Sequence, residues 1–279
     1  MDRRTFLKAV TIGAAGSLAL PHAAFALDDF GSQPHNEPAN VKDFLSKIKY
    51  FDHHFPDDIR LNAEQTVLLA AVVARLKRVE LAVGYANFSL LSFDDAVRTG
   101  AGSLAVGEFT AQEKDFIDHT FHRAASDYGF FGEKVLAELT TRIPIKDMVK
   151  MPATGQYLYR GDSMAMYDRI VKDVGPSIVL TSGVRGIAKQ IYLFLAKAQQ
   201  SEGNLSMASR SLAPPGHSFH GVGDFDVGRR GLGPRNFTEA FAKTREFKRL
   251  TELGYIHIRY HESNEFGVRF EPWHVKVVA

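Results

Sequence analysis

Apolar side chains recur at three- and four-residue spacing in the first half of the chain and at shorter, mixed spacing in the second, and the two patterns predict different architectures. Val67 to Val83 carries the helical period behind Asn62-Ala63-Glu64-Gln65, with Asn62 a candidate N-cap. Thr110-Ala111-Gln112-Glu113 has capping-box spacing ahead of Phe116, Ile117, Phe121 and Ala124, which fall on one helical face. Residues 27–150 are therefore expected to be mainly helical, entered through a polar, proline-bearing linker over 27–41. Beyond 150 the pattern predicts a helix near Ser163–Val174, a short strand Ser177–Thr181, a helix near Ile187–Gln199, glycine-rich loops and a helix over Phe237–Leu253. Strands are expected at Tyr255–Tyr260, Phe266–Phe270 and Val275–Val278. The expected fold class is α+β, a small, mostly antiparallel sheet flanked by helices over 151–279 and preceded by the helical region.

Residues 1–26 follow a third pattern. Asp2-Arg3-Arg4-Thr5-Phe6-Leu7-Lys8 leads into an uncharged run from Ala9 to Leu20 and a small-x-small ending at Ala24-Phe25-Ala26, the form of a signal peptide. The apolar run is about a dozen residues, against about 20 for a helix that spans a bilayer, so no permanent membrane span is expected. The paired arginines before Phe6-Leu7-Lys8 resemble a twin-arginine export signal, with Asp2 where such signals usually have Ser. The expected location is periplasmic or otherwise extracytoplasmic, by that route.

The 279 residues, 45% hydrophobic and 24% charged, suffice for one large or two modest domains. The formal net charge of +2 is accounted for by Asp2, Arg3, Arg4 and Lys8, which leaves residues 27–279 near neutral. That removes the electrostatic basis for generic nucleic-acid binding. The absence of cysteine excludes disulfides, thiolate metal sites and a cysteine nucleophile. Any metal must be held by histidine and carboxylate.

Such groups concentrate in Pro215-Gly216-His217-Ser218-Phe219-His220-Gly221-Val222-Gly223-Asp224-Phe225-Asp226 and in Glu271-Pro272-Trp273-His274. A catalytic zinc site with three protein ligands leaves its fourth position to water, and two histidines with one aspartate fit that need. A carboxylate nearby but not ligated would carry the proton. In an extended strand His220 and Asp226 would lie about 20 Å apart, at about 3.3 Å per residue. They can share a metal only if the chain folds back, and Gly221 and Gly223 supply that freedom. Glu271 and His274 would face opposite sides of a regular strand, and Pro272 predicts the local break that could bring them together.

These segments resemble the zinc D,D-carboxypeptidases of the VanY type, which share a fold with Hedgehog signalling domains. That family carries Ser-x-His-x-x-Gly-x-Ala-x-Asp and, near its C-terminus, Glu-Pro-Trp-His. Ser218-Phe219-His220-Gly221-Val222-Gly223 matches the first half, and Glu271 to His274 match the second completely. Thr181-Ser182-Gly183-Val184-Arg185 is similar to the family's Ser-Gly-Tyr-Arg segment, with Gln190 where a Gln is frequent. The resemblance covers roughly residues 155–279. It implies Zn2+ as cofactor, with His220, an aspartate and His274 as ligands. Glu271 would be the general base and acid and Arg185 the cation at the oxyanion, while Ser218, Gln190 and Trp273 would bind substrate. The family's aspartate follows its histidine by seven positions, where this chain has Val227. A one-residue deletion makes Asp226 the ligand, with Asp224 as its rival. The implied reaction removes D-alanine from the peptidoglycan stem peptide. An L,D-carboxypeptidase, a cross-link endopeptidase and a non-catalytic wall-binding protein are the alternatives.

Other polar clusters read as structural. Asp52-His53-His54 with Asp57 and Asp58 is expected to be a solvated turn, and His217 a loop residue or substrate neighbour and not a ligand. His119 and His122 lie on a helix face that Glu113, Lys114 and Asp118 mark as exposed.

Overall fold

The computed structural model describes residues 41–255 and 259–277; the signal peptide expected over 1–26, the expected linker up to residue 40 and the centre of the expected strand Tyr255–Tyr260 lie outside them. The chain enters through α1 (Val41–Lys49), α2 (Ala63–Val83), α3 (Tyr85–Phe88), α4 (Phe93–Ala101) and α5 (Ala111–His122). A hairpin of β1 (Met148–Lys150) and β2 (Tyr157–Tyr159) follows, then α6 (Asp162–Val174), β3 (Ile178–Ser182), α7 (Ile187–Gln200) and α8 (Leu205–Ser211). The chain ends with β4 (Phe225–Arg229), α9 (Arg245–Glu252) and β5 (His274–Val275).

Reciprocal capping boxes start α2 (Asn62 with Gln65), α4 (Ser92 with Asp95) and α5 (Thr110 with Glu113), each satisfying two main-chain donors that the first turn leaves open. Leu69, Val72, Leu76 and Val79 of α2 are fully buried and meet Ile187, Ile191, Phe194 and Leu195 of α7 in one cluster with Phe116, Ile117 and Phe121 of α5. At about 1.5–3 kcal/mol for each fully buried large apolar side chain, this face holds the helical layer together. The cluster joins residues from both sides of position 150.

A second cluster forms on one face of a three-stranded antiparallel sheet with β4 in the centre. Phe225 and Val227 of β4 pack there with Ile178, Leu180 and Val275, against Tyr167 and Ile170 of α6 and Leu250 of α9. The intervening residue, Asp226, points to the other face, as strand alternation requires. Its neighbours are Ser182 on β3 and His274 on β5, and the β3 ladder skips one residue between Leu180 and Ser182.

The structure corrects several expectations. The α9 helix begins at Arg245, not Phe237, because Thr244 is extended and its hydroxyl accepts the Phe247 N–H as an N-cap. Phe266–Phe270 forms no strand: the Phe266 carbonyl accepts from Phe131 N and the Arg269 N–H donates to Arg210 O, so its main chain is bonded to loops and not to a ladder. Ala124 is exposed and outside α5, which ends when Arg123 turns extended. Glu113 is buried in an ion pair with Arg75 (2.7 Å) and does not belong to an exposed face. The Asp52–Asp58 turn is solvated only in part, since the Asp58 carboxylate is buried and takes a two-pronged ion pair from Arg210 (2.6 and 3.0 Å) with a further bond from Asn204 (2.7 Å).

Candidate metal centre

Three segments meet at Asp226. The strand register sets Asp226 directly opposite His274, and directly opposed residues of an antiparallel pair present their side chains to the same face. His220 arrives from the tight turn Phe219–Gly221, and Gly223, with φ of 141°, lets the chain double back into β4. His274 follows Glu271 through a turn closed by the His274 N–H on the Glu271 carbonyl (3.1 Å), the break expected at Pro272.

One ligand atom from each of His220, Asp226 and His274 lies within 4.8 Å of the others, and all three side chains are buried. The hydrogen-bond partners fix which atoms face inward. His220 Nδ1 lies 2.8 Å from the Gly183 carbonyl, an acceptor only, so Nδ1 donates and Nε2 faces Asp226 Oδ1 at 3.1 Å. His274 Nε2 lies 3.0 Å from Asp224 Oδ2, while its Nδ1 is 3.4 Å from Asp226 Oδ1. With both rings neutral, the imidazoles and the carboxylate turn lone pairs toward one point. Such a set needs a proton or a cation, and two nitrogens with one oxygen suit zinc, leaving an open position. Both histidines also carry the outer hydrogen bond that orients a metal-bound ring. The residues present fit the metal.

Charge is balanced locally. The second oxygen of Asp226 accepts from Arg185 Nη2 at 2.5 Å, and Arg185 Nε donates to Ser182 Oγ at 2.9 Å. Burial opposes ionisation of Asp226, and His220 followed by the adjacent Arg185 guanidinium outweighs it, holding the carboxyl well below its ordinary range. Burial would likewise lower His274, but its bonds to Asp224 and Asp226 raise it to about 9. Glu271 Oε2 lies 3.8 Å from His274 Nδ1, and burial pushes its carboxyl up to about 7. The side chains of His220, Asp226 and His274 are at most 2% exposed, whereas those of Arg185 and Glu271 are 15% and 10% exposed. Of these five side chains, Arg185 and Glu271 are the ones that extend toward solvent.

The remaining expected residues are distributed differently. Ser218 is buried at the start of the His220 turn, where its carbonyl accepts from Gly221 N. The Gln190 amide is committed to the main chain at both ends, donating to Arg185 O (2.7 Å) and accepting from Gly216 N (2.9 Å). It ties the arginine to the histidine loop and is not turned toward the cluster. Trp273 packs in the sheet core, edge-on to Phe237 and stacked by Arg269, on the face opposite His274. His217 donates to the carbonyls of Gly132 and Glu133 and holds that loop. Sequence reasoning missed Tyr159 and Ser163, whose hydroxyls hold the carbonyls of Gly221 and Gly223 (both 2.7 Å), and Arg259, which binds Asp224 at 2.8 Å. No spacing signal marks them, since each acts across 35 or more residues.

No curated protein matches the chain. Among solved structures it is similar to the LD-carboxypeptidase LdcB, with 22% identity and a TM-score of 0.41 over 48% of this chain and 68% of that one. It is also similar to the vancomycin resistance D,D-pentapeptidase VanY in complex with Zn(II), at 22% identity and 0.38, over 49% of this chain and 83% of that one. A third is the D,D-dipeptidase VanXYg in complex with a D-Ala-D-Ala phosphinate analog, at 20% and 0.41, over 47% and 55%. Residues 163–279 match the family model for VanY, D-alanyl-D-alanine carboxypeptidase, a span that contains Arg185, the His220 turn and the Glu271–His274 turn.

Proposed function

We propose that the protein is a zinc-dependent D-alanyl-D-alanine carboxypeptidase that trims peptidoglycan stem peptides. The observation that carries the reading is the convergence of His220 Nε2, Asp226 Oδ1 and His274 Nδ1 with a separate carboxylate, Glu271, beside them. Zinc held by those three residues would supply a Lewis acid for the scissile carbonyl and make water acidic enough to attack near neutral pH.

The rest falls to the chain's own side chains. Glu271 accepts the proton of the attacking water and returns it to the leaving amine, a role open to a buried carboxylate that is beside the ligands without being one of them. Arg185 uses two of its five N–H donors on Ser182 and Asp226, and the others would donate to the substrate oxygen on which charge develops. The signal read over residues 1–26 would carry the enzyme to the compartment that holds this substrate. VanYB is known in complex with D-Ala-D-Ala, a ligand of the class proposed here.

Metal content and turnover of Glu271→Gln test the reading together. The variant is expected to hold zinc at the wild-type stoichiometry while kcat falls by about 10²- to 10⁴-fold, the range for a general acid–base group. Near-full activity in the variant, or a folded wild type that takes up no zinc, would contradict it.

A further inference from the structure

One buried acid beside the cluster has no part in the reaction above. Asp224 lies two residues before Asp226, and its Oδ2 meets His274 at Nε2, the nitrogen turned away from Asp226. We propose that Asp224 is a positioning residue that accepts the hydrogen bond of the His274 Nε2–H and so fixes Nδ1 as the metal-facing nitrogen, an inference that rests on the zinc reading.

The geometry supports this in three ways. The two nitrogens of an imidazole point to different sides of the ring, so a group hydrogen-bonded to Nε2 cannot also approach the point that Nδ1 shares with His220 and Asp226. Asp224 is itself held rigidly, since Arg259 Nε reaches Oδ2 at 2.8 Å and the Val277 N–H reaches Oδ1 at 2.8 Å. Arg259 also lies over the Phe219 ring, 3.4 Å from its centroid, and Phe219 precedes His220. The Arg259–Asp224 pair thereby joins both histidine segments. Each aspartate has its own arginine, Asp226 with Arg185 and Asp224 with Arg259, so the second acid adds orientation without adding net negative charge. His220 is oriented by a neutral carbonyl, whereas His274 is oriented by a carboxylate, which makes its ring the more basic donor.

Zinc affinity, by chelator competition on purified protein, tests the role in Asp224→Ala and Asp224→Asn. Asp226→Asn serves as the ligand-loss reference, and Glu113→Gln perturbs a buried ion pair remote from the site. Melting of the metal-free proteins and the downfield proton resonance of the His274 Nε2–H in the zinc form are followed alongside. Asp224→Ala is expected to weaken zinc binding about 10- to 100-fold and to remove the exchange-protected N–H signal. Asp224→Asn, which keeps one acceptor oxygen, should lose about 3- to 10-fold and shift the signal, and Glu113→Gln should lower the melting temperature without moving the affinity. If Asp224→Ala fails to fold, Asp224→Asn decides. Zinc affinity and N–H signal unchanged in the folded Asp224 variants overturn this inference alone. Loss of zinc as complete as in Asp226→Asn makes Asp224 a ligand and overturns it too. A wild type that binds no zinc removes the zinc reading and this inference with it.

Discussion

At the scale of single residues, Asp226 and Asp58 illustrate two uses of a buried carboxylate. Asp226 divides its oxygens between Arg185 and the histidine pair, so Asp226→Asn keeps the size but loses the charge that holds both sides. Its expected outcome is loss of stoichiometric zinc by metal analysis, with the metal-free protein still folded. Asp58 is structural: burial works against its ionisation, and bonds from Arg210, Asn204 and the Phe55 N–H outweigh burial, so its pKa lies below the usual 3.8. A depressed folded-state pKa adds stability at pH values above the unfolded-state value, and that stability is lost as pH falls through the folded one. Urea unfolding from pH 6 down to pH 2 should therefore show a larger loss for wild type than for Asp58→Asn; equal losses would rule the ion pair out as an acid-sensitive anchor. The two acids were not equally legible. Asp226 stood in a motif whose chemistry names itself, while Asp58 read as one of several solvated acids because its partners Arg210 and Asn204 are 152 and 146 residues away.

At the scale of elements, helices were legible where their start signals are local. The Asn62–Gln65 and Thr110–Glu113 boxes lie within four residues, and both were found at the expected positions. The start of α9 was misplaced because Thr244 interrupts an otherwise helical pattern. Thr244→Ala should lower stability by about 1 kcal/mol in denaturant melts, the usual loss of an N-cap. The terminal strands were over-read because apolar alternation near Phe266–Phe270 serves packing against loops, which no local pattern distinguishes from a ladder. Gly183 links element packing to the site. A Cβ there would fall 2.0 Å from the Tyr157 carbonyl, and the Gly183 carbonyl orients His220. Gly183→Ala is expected to cost about 1–3 kcal/mol by overpacking and to weaken zinc binding as well. Unchanged stability and affinity would show that β2 can withdraw without disturbing His220.

At the scale of the whole molecule, the family match begins at residue 163, yet α7 inside it buries Ile187, Ile191, Phe194 and Leu195 against α2 and α5 outside it. The β1–β2 hairpin adds the Tyr159 hydroxyl to the His220 turn, and the loop at Gly132 and Glu133 is pinned by His217. A fragment of residues 151–279 would expose that face of α7, so it is expected to lack a cooperative thermal transition; a sharp transition with zinc bound would show that the helical region is dispensable for folding. The apolar period ahead of residue 150 predicted helices but gave no sign that α2 and α5 share a core with α7, because pairing between helices is set by shape and not by period. The central claim is zinc-dependent removal of a C-terminal D-alanine. Mass spectrometry of a muropeptide ending in D-Ala-D-Ala, incubated with zinc-loaded wild type and with Glu271→Gln, tests it most directly. Loss of one alanine by the wild type alone is the predicted result. No product from zinc-loaded wild type, or equal cleavage by the variant, would contradict it.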